Sequence, residues 1–279
     1  MAVIIDNIYL ARPPAGLVGA PLVYEAPVEG GITRLMAILP AETETERIGP
    51  VRSVRPYFLD WAEEYDALLA HVGGSPEAMD RLRLSDLRSV NQMGPLGGYF
   101  WRDRGRFAPH NVYTSSELLA TVRERVGERE SDVGTGRPFK EGGRDGRVAA
   151  VGATRLSVDY SVSSYRVTWS YDEETNRYRR YQGRGQFTDE YGEQVAADNV
   201  IVQFTDVRSV DSLDRQDIRT VGDGSALLLR DGQAIEAEWS KESGGRTRFV
   251  DAESGEELPW NVGVTWIQVV GADAEVEYE

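Results

Sequence analysis

Ala67-Leu68-Leu69-Ala70-His71-Val72-Gly73-Gly74-Ser75-Pro76 is the stretch that sets the fold of the first half of the chain. A short apolar run ends at a histidine. Two glycines then make a tight turn, and Ser75-Pro76 has the form of an N-cap followed by proline in the first helical position. The stretch reads as strand, turn and helix, with the helix over residues 76–82. Upstream lie three strand-like runs, at 2–5, 22–26 and 33–39. Residues 57–65 form an amphipathic pattern, with Phe58, Trp61, Ala62 and Tyr65 on one helical face and Asp60, Glu63 and Glu64 off it. Downstream, Thr114-Ser115-Ser116-Glu117 fits a capping box for a helix over 115–126. Strands alternating with helices imply an α/β layer.

Beyond residue 126 the pattern changes. Residues 127–149 are mostly Gly, Arg, Asp, Glu and Ser and read as a linker or long loop. Residues 165–171 then alternate, with Val167 and Trp169 set against Arg166, Thr168 and Ser170. Asp172-Glu173-Glu174-Thr175-Asn176 is a turn, and 177–181 is the returning strand. Further short strands are expected at 199–204, 225–229, 234–239, 247–250 and 264–270, with hairpin signals at Asp231-Gly232 and Ser254-Gly255. The expected class is α+β: an N-terminal α/β domain over 1–126, a linker over 127–154, and a mainly antiparallel β domain over 155–279.

Composition removes several chemistries. With no cysteine, disulfides, thiolate catalysis and zinc–thiolate sites are excluded. A net charge of −15 argues against a general affinity for nucleic acid or anionic membrane. No run of eighteen apolar residues offers a transmembrane helix. The chain opens almost directly on an apolar strand, so a mature form whose leader is missing is expected. Every base except Lys140 and Lys241 is arginine, the better residue for forked carboxylate and phosphate contacts.

The candidate site residues fall in loops punctuated by Gly and Pro. Arg52, Ser53 and Arg55 follow Ile48-Gly49-Pro50, where a helix is about to begin. Backbone N–H groups at a helix start favour anions, and basic residues there oppose the helix dipole, which favours an anion site over arginines that merely bridge surface acids. Glu29-Gly30-Gly31 precedes Arg34. It is either a bend with glycines at positive φ, or a carboxylate serving as base or as partner to Arg34 and Arg52. His71, Gly73-Gly74 and Ser75 would cradle an anion, or His71 closes a strand–helix turn from inside. His110-Asn111, after Ala108-Pro109, allows the same two readings. Both histidines of the chain stand in comparable loops, and that favours chemistry. The catalytic candidates are His71, His110 and Glu29; the ligand-binding candidates are Arg34, Arg52, Arg55, Ser75, Arg102 and Asn111. No metal motif, P-loop or cofactor motif is present, and the spacing of Ser75, His110 and Asp60 does not support a triad. Trp169, Trp239, Trp260 and Trp266 fit a β core better than a glycan-binding face.

Several of these segments carry a family resemblance. Ile5-Asp6-Asn7, Ala11-Arg12-Pro13, Val23-Tyr24-Glu25, Glu29 to Arg34, Ile48 to Arg55, His71 to Pro76 and Pro109 to Thr114 resemble the N-terminal domain of the YerB-like lipoproteins of Gram-positive bacteria. Asn199-Val200-Ile201-Val202-Gln203, Gly222-Asp223-Gly224, Asp231-Gly232, Glu238-Trp239-Ser240-Lys241 and Gly263-Val264-Thr265-Trp266 resemble their C-terminal domain. This is a family of unknown function. The resemblance implies an extracytoplasmic, cell-envelope location and a lipid anchor on an N-terminal cysteine that this chain lacks. A weaker likeness, in the order of features only, is to the LytR-CpsA-Psr phosphotransferases, and it is a fold-level analogy. Two functions follow. One is an envelope binding or accessory protein with an anion-binding cleft, whose partner is an anionic envelope ligand or glycopolymer. The other is an enzyme of phosphoryl or glycopolymer transfer, with arginines on the phosphate and His71 or His110 as acid or base.

Overall fold

The computed structural model describes residues 1–127, 136–141 and 150–279. The expected linker, 127–154, falls largely on residues outside that set. Strand and helix assignments below concern the described residues, which are mostly sheet with three helices. The chain divides into two compact units. The first comprises Met1–Val23, Arg34–Val133 and Thr188–Glu193; the second comprises Tyr24–Thr33, Gly134–Phe187 and Gln194–Glu279.

In chain order the strands are β1 (Ala2–Asp6), β2 (Leu22–Pro27), β3 (Thr33–Ile38), β4 (Leu69–His71), β5 (Ser89–Asn91), β6 (Trp101–Arg102) and β7 (Val112–Tyr113). The helices are α1 (Pro56–Glu63), α2 (Pro76–Leu84) and α3 (Ser116–Val126). In the first unit the sheet order is β3-β1-β4-β5. β1 is antiparallel to β3, pairing Asp6 with Arg34 and Ile4 with Met36, and parallel to β4, pairing Val3 with Ala70. β4 and β5 are also parallel, with His71 beside Asn91. All five residues of β1 are buried, which explains its unbroken apolar run up to Asp6.

Beyond Val3 another piece of chain lies between β1 and the end of β4. Arg52 donates its N–H to the Ile4 carbonyl at 2.9 Å and accepts from Val72 N–H at 3.0 Å, while Asp6 donates to Pro50 at 2.8 Å. α1 begins one residue before the amphipathic pattern, with Arg55 at the N-cap and Pro56 first in the helix. It buries Ala62 and also Tyr57, Phe58 and Trp61, whose ring centroids lie 4.8–5.5 Å apart. α2 opens as expected on Ser75, which accepts from Ala78 N–H; α3 opens one residue later than the capping box implies, on Ser115, which accepts from Leu118 N–H, while the Thr114 hydroxyl donates to the Tyr99 carbonyl.

The second unit is built from β8 (Val151–Gly152), β9 (Arg155–Val158), β10 (Val167–Asp172), β11 (Arg177–Gln182), β12 (Gly185–Gln186), β13 (Ala196–Ala197) and β14 (Asn199–Thr205). After these come β15 (Val207–Ser209), β16 (Gln216–Ile218), β17 (Gly222–Arg230), β18 (Gln233–Lys241), β19 (Arg248–Asp251), β20 (Thr265–Gly271) and β21 (Val276–Tyr278). One sheet runs β19-β18-β17-β14-β20-β2, mixed because β14 and β20 are parallel; the other runs β12-β11-β10-β9-β21 and is antiparallel. Trp169 of β10 and Trp266 of β20 meet edge to face at 5.5 Å, so those two tryptophans are core. Trp239 and Trp260 are buried as well.

Candidate functional site

Three loops of the first unit converge beyond the end of β1. Asp6 is the last residue of that strand and is 1% exposed. Its Oδ2 lies 2.7 Å from His110 Nδ1 and 3.0 Å from Arg52 Nε. The contact with Arg52 is an ion pair whose N–H is not aligned for a hydrogen bond. Asp6 Oδ1 accepts from Ile8 N–H at 3.2 Å. The carboxylate thus accepts from His110 Nδ1–H, which leaves Nε2 on the far side of the ring. Arg52 and His110 remain partly exposed, with side chains 22% and 13% accessible. The Nη groups of Arg52 have no hydrogen-bond or ion-pair partner among the described residues.

The other sequence candidates are placed as follows. Arg34 is the cross-strand partner of Asp6, is buried, and donates Nη1 to the Ser53 carbonyl at 2.8 Å. Arg55 is buried and donates to the Val54 carbonyl at 2.8 Å. Asn111 accepts from Arg102 at 2.9 Å and donates to the Asp103 and Arg106 carbonyls, so it braces its own loop. Ser75 Oγ caps α2. Glu29 belongs to the second unit, in the short Glu29–Gly31 turn where Gly30 and Gly31 have φ of 69° and 67°. Arg52, His110 and Arg34 are therefore gathered round Asp6, while Ser75, Arg102 and Asn111 have local structural partners.

His71 ends β4 and is fully buried. Its Nδ1 lies 2.7 Å from the Gly73 carbonyl. A carbonyl only accepts, so Nδ1 carries the hydrogen and Nε2 is bare, without a partner among the described residues. Burial pushes this imidazole below the ordinary value of 6.5, against the opposing pull of the Gly73 carbonyl. By the alternation of β4, His71 shares a face with Ile4, and hence with Asp6 and Arg34.

Two polar centres were not read from the sequence. Asp6 is one. The other lies in the second unit, where Glu25 of β2 and Arg180 of β11 are both fully buried. Arg180 Nη2 donates to both Glu25 oxygens at 3.0 and 2.9 Å; Thr33, Trp266 and Gln268 donate to them at 2.7, 3.1 and 3.1 Å. Arg180 also lies 3.8 Å from the Phe187 ring centroid and 4.9 Å from that of Trp266. Burial lowers the Arg180 pKa, and Glu25 opposes that shift. The available signal for both acids was a lone carboxylate at or near the end of an apolar strand run.

Comparison with known proteins agrees with the residue pattern. Residues 1–129 match the model described as "Protein of unknown function (DUF3048) N-terminal domain", and residues 156–267 match its C-terminal domain. The chain is 32% identical over 273 residues to "Putative lipoprotein YerB" of Bacillus subtilis (strain 168), covering 97% of this chain and 80% of that protein. The crystal structure of YerB protein from Bacillus subtilis superposes with a TM-score of 0.85 at 31% identity, covering 99% of this chain and 93% of that one. The chain belongs to the two-domain DUF3048 family and is a YerB-like member of it.

Proposed function

We propose that this protein is an extracytoplasmic binding or accessory protein of the cell envelope, and that its first unit holds an anion at Arg52 and His110. The location follows the name of the Bacillus subtilis relative. The anion site rests on one observation: a buried carboxylate, Asp6, fixes Arg52 through Nε and His110 through Nδ1, leaving the Arg52 Nη edge as an outward donor with His110 Nε2 beside it. A guanidinium edge held in place in this way loses little freedom when it binds phosphate or carboxylate. The placement also has a general rationale. β1, β4 and β5 are parallel neighbours, and Asp6, His71 and Asn91 stand at their carboxyl ends. In α/β layers ligands bind outside those ends.

The expected ligand is an anionic envelope molecule such as a phosphate-bearing glycopolymer. Calorimetric titration of pyrophosphate tests the site. Wild type should bind, and Arg52→Ala should weaken binding by about 1–3 kcal/mol. His110→Gln, which keeps a polar side chain, should cost less. Absence of binding to wild type, or equal binding by all three proteins, removes the anion site.

The Asp6–His110 pair also favours a second reading, phosphoryl or glycopolymer transfer. A carboxylate that orients Nδ1–H leaves Nε2 free to take or give a proton, with Arg52 beside the developing charge. Turnover of a phosphodiester that disappears in His110→Gln would establish that reading.

A further inference from the structure

The loop that carries His110 has an unusual surface. It reads Arg102-Asp103-Arg104-Gly105-Arg106-Phe107-Ala108-Pro109-His110. Phe107 is 89% exposed. The neighbouring loop after β1 exposes Tyr9 at 74% and Leu10 at 68%. The two loops are stitched together. Arg106 donates to the Ala11 and Pro13 carbonyls at 2.8 and 2.7 Å, and His110 joins Asp6 at 2.7 Å. Three apolar side chains therefore protrude from one braced pair of loops, with nothing in their own unit covering them.

The charges around them run against the rest of the chain. In a protein of net charge −15, this loop carries three arginines and one acid. Asp103 is already engaged by Arg47 and by Gly105 N–H. Arg102 and Arg104 are exposed, and Arg104 has no ion-pair partner among the described residues. We propose that Tyr9, Leu10 and Phe107, flanked by Arg102 and Arg104, form a docking surface for an anionic lipid bilayer.

The shape of the surface favours lipid over a folded partner. A protein interface needs a broad complementary face with pockets for its anchors. Tyr9, Leu10 and Phe107 instead stand 74%, 68% and 89% exposed on two short surface segments. A bilayer interface needs no preformed pocket; it accepts aromatic and aliphatic side chains at headgroup depth and draws arginines to its negative surface. The acidic body of the protein opposes approach, but at physiological salt screening confines that repulsion to about 8 Å, so loops that reach the surface first are favoured.

Sedimentation with vesicles tests the surface without reference to the anion site, because none of the substituted residues holds Asp6, Arg52 or His110. Wild type should sediment with vesicles containing phosphatidylglycerol and much less with phosphatidylcholine alone. Phe107→Ser should weaken binding by at least about tenfold. Arg104→Glu should weaken it about fivefold for each unit of charge changed. Both side chains are exposed, so the fold should survive either change. Wild type left in the supernatant overturns the proposal and leaves an acidic protein partner as the reading of this surface. Equal binding to both vesicle types, or binding unaffected by Phe107→Ser, overturns it as well. Pyrophosphate binding with no vesicle binding would overturn this proposal while leaving the anion site intact.

Discussion

A fully buried histidine with one bonded and one bare nitrogen is a pH-sensitive device whatever else it does. His71 is neutral in the folded protein because burial depresses its pKa below 6.5. In the unfolded chain it titrates near 6.5. Between the two values the unfolded state binds the proton and the folded state does not, so stability is complete above about 6.5 and falls as the pH drops below it. His71→Asn keeps an N–H donor where Nδ1 stood and removes the titration. Urea unfolding of this variant should show a shallower loss of stability from pH 6.5 downward than wild type, at the expense of about 1 kcal/mol at neutral pH for the smaller side chain. An identical slope would show that another group governs this range. The two histidines were visible as candidates because Gly and Pro surround them. Asp6 was not, because it closes a strand whose other four residues are apolar, and local pattern does not say which loops will arrive beside it. Arg52 and His110 reach it from 46 and 104 positions away.

At the scale of elements, local signals were the readable ones. Asp231 and Gly232 both have positive φ, 55° and 69°, and join β17 to β18 as the dipeptide promises. Asp231 is further fixed by Lys140 and by Asn176 and Asn261 at 3.0 and 2.9 Å. A Cβ on Gly232 would lie 2.7 Å from the Tyr171 ring. Gly232→Ala therefore combines an unfavourable backbone conformation with a clash, and should lower stability by about 1–3 kcal/mol in urea unfolding. A loss below about 0.5 kcal/mol would mean that the turn and the ring shift together. The serine cap on α2 was equally legible, because a cap is decided within four residues. The parallel pairing of β14 with β20 was not, since Asn199 and Thr265 meet only after the five strands β15 to β19, and alternation carries no information about which strand lies alongside.

At the scale of the whole molecule, neither compact unit is a continuous piece of chain. Residues 188–193 are counted with the first unit and residues 24–33 with the second. The second segment brings Glu25, the only carboxylate hydrogen-bonded to Arg180 among the described residues. Arg180→Met should destabilise the protein by about 3–5 kcal/mol, because it leaves the Glu25 charge buried without its counterion. Pairing it with Glu25→Leu should recover much of that loss, and a double-mutant cycle in urea measures the coupling. A double variant as unstable as the sum of the singles would deny that the two charges depend on each other.

The 155 positions between Glu25 and Arg180 also bear on how the protein is made. Glu25 leaves the ribosome early, in a strand of otherwise apolar residues, and its counterion is not yet synthesised. At typical rates of translation Arg180 follows roughly 8 to 30 s later. During that interval the carboxylate has no reason to leave water, and the strand that carries it has no finished sheet to join. Trp266 and Gln268, which complete the hydrogen bonds to Glu25, come later still, so the second unit closes only once synthesis is nearly complete.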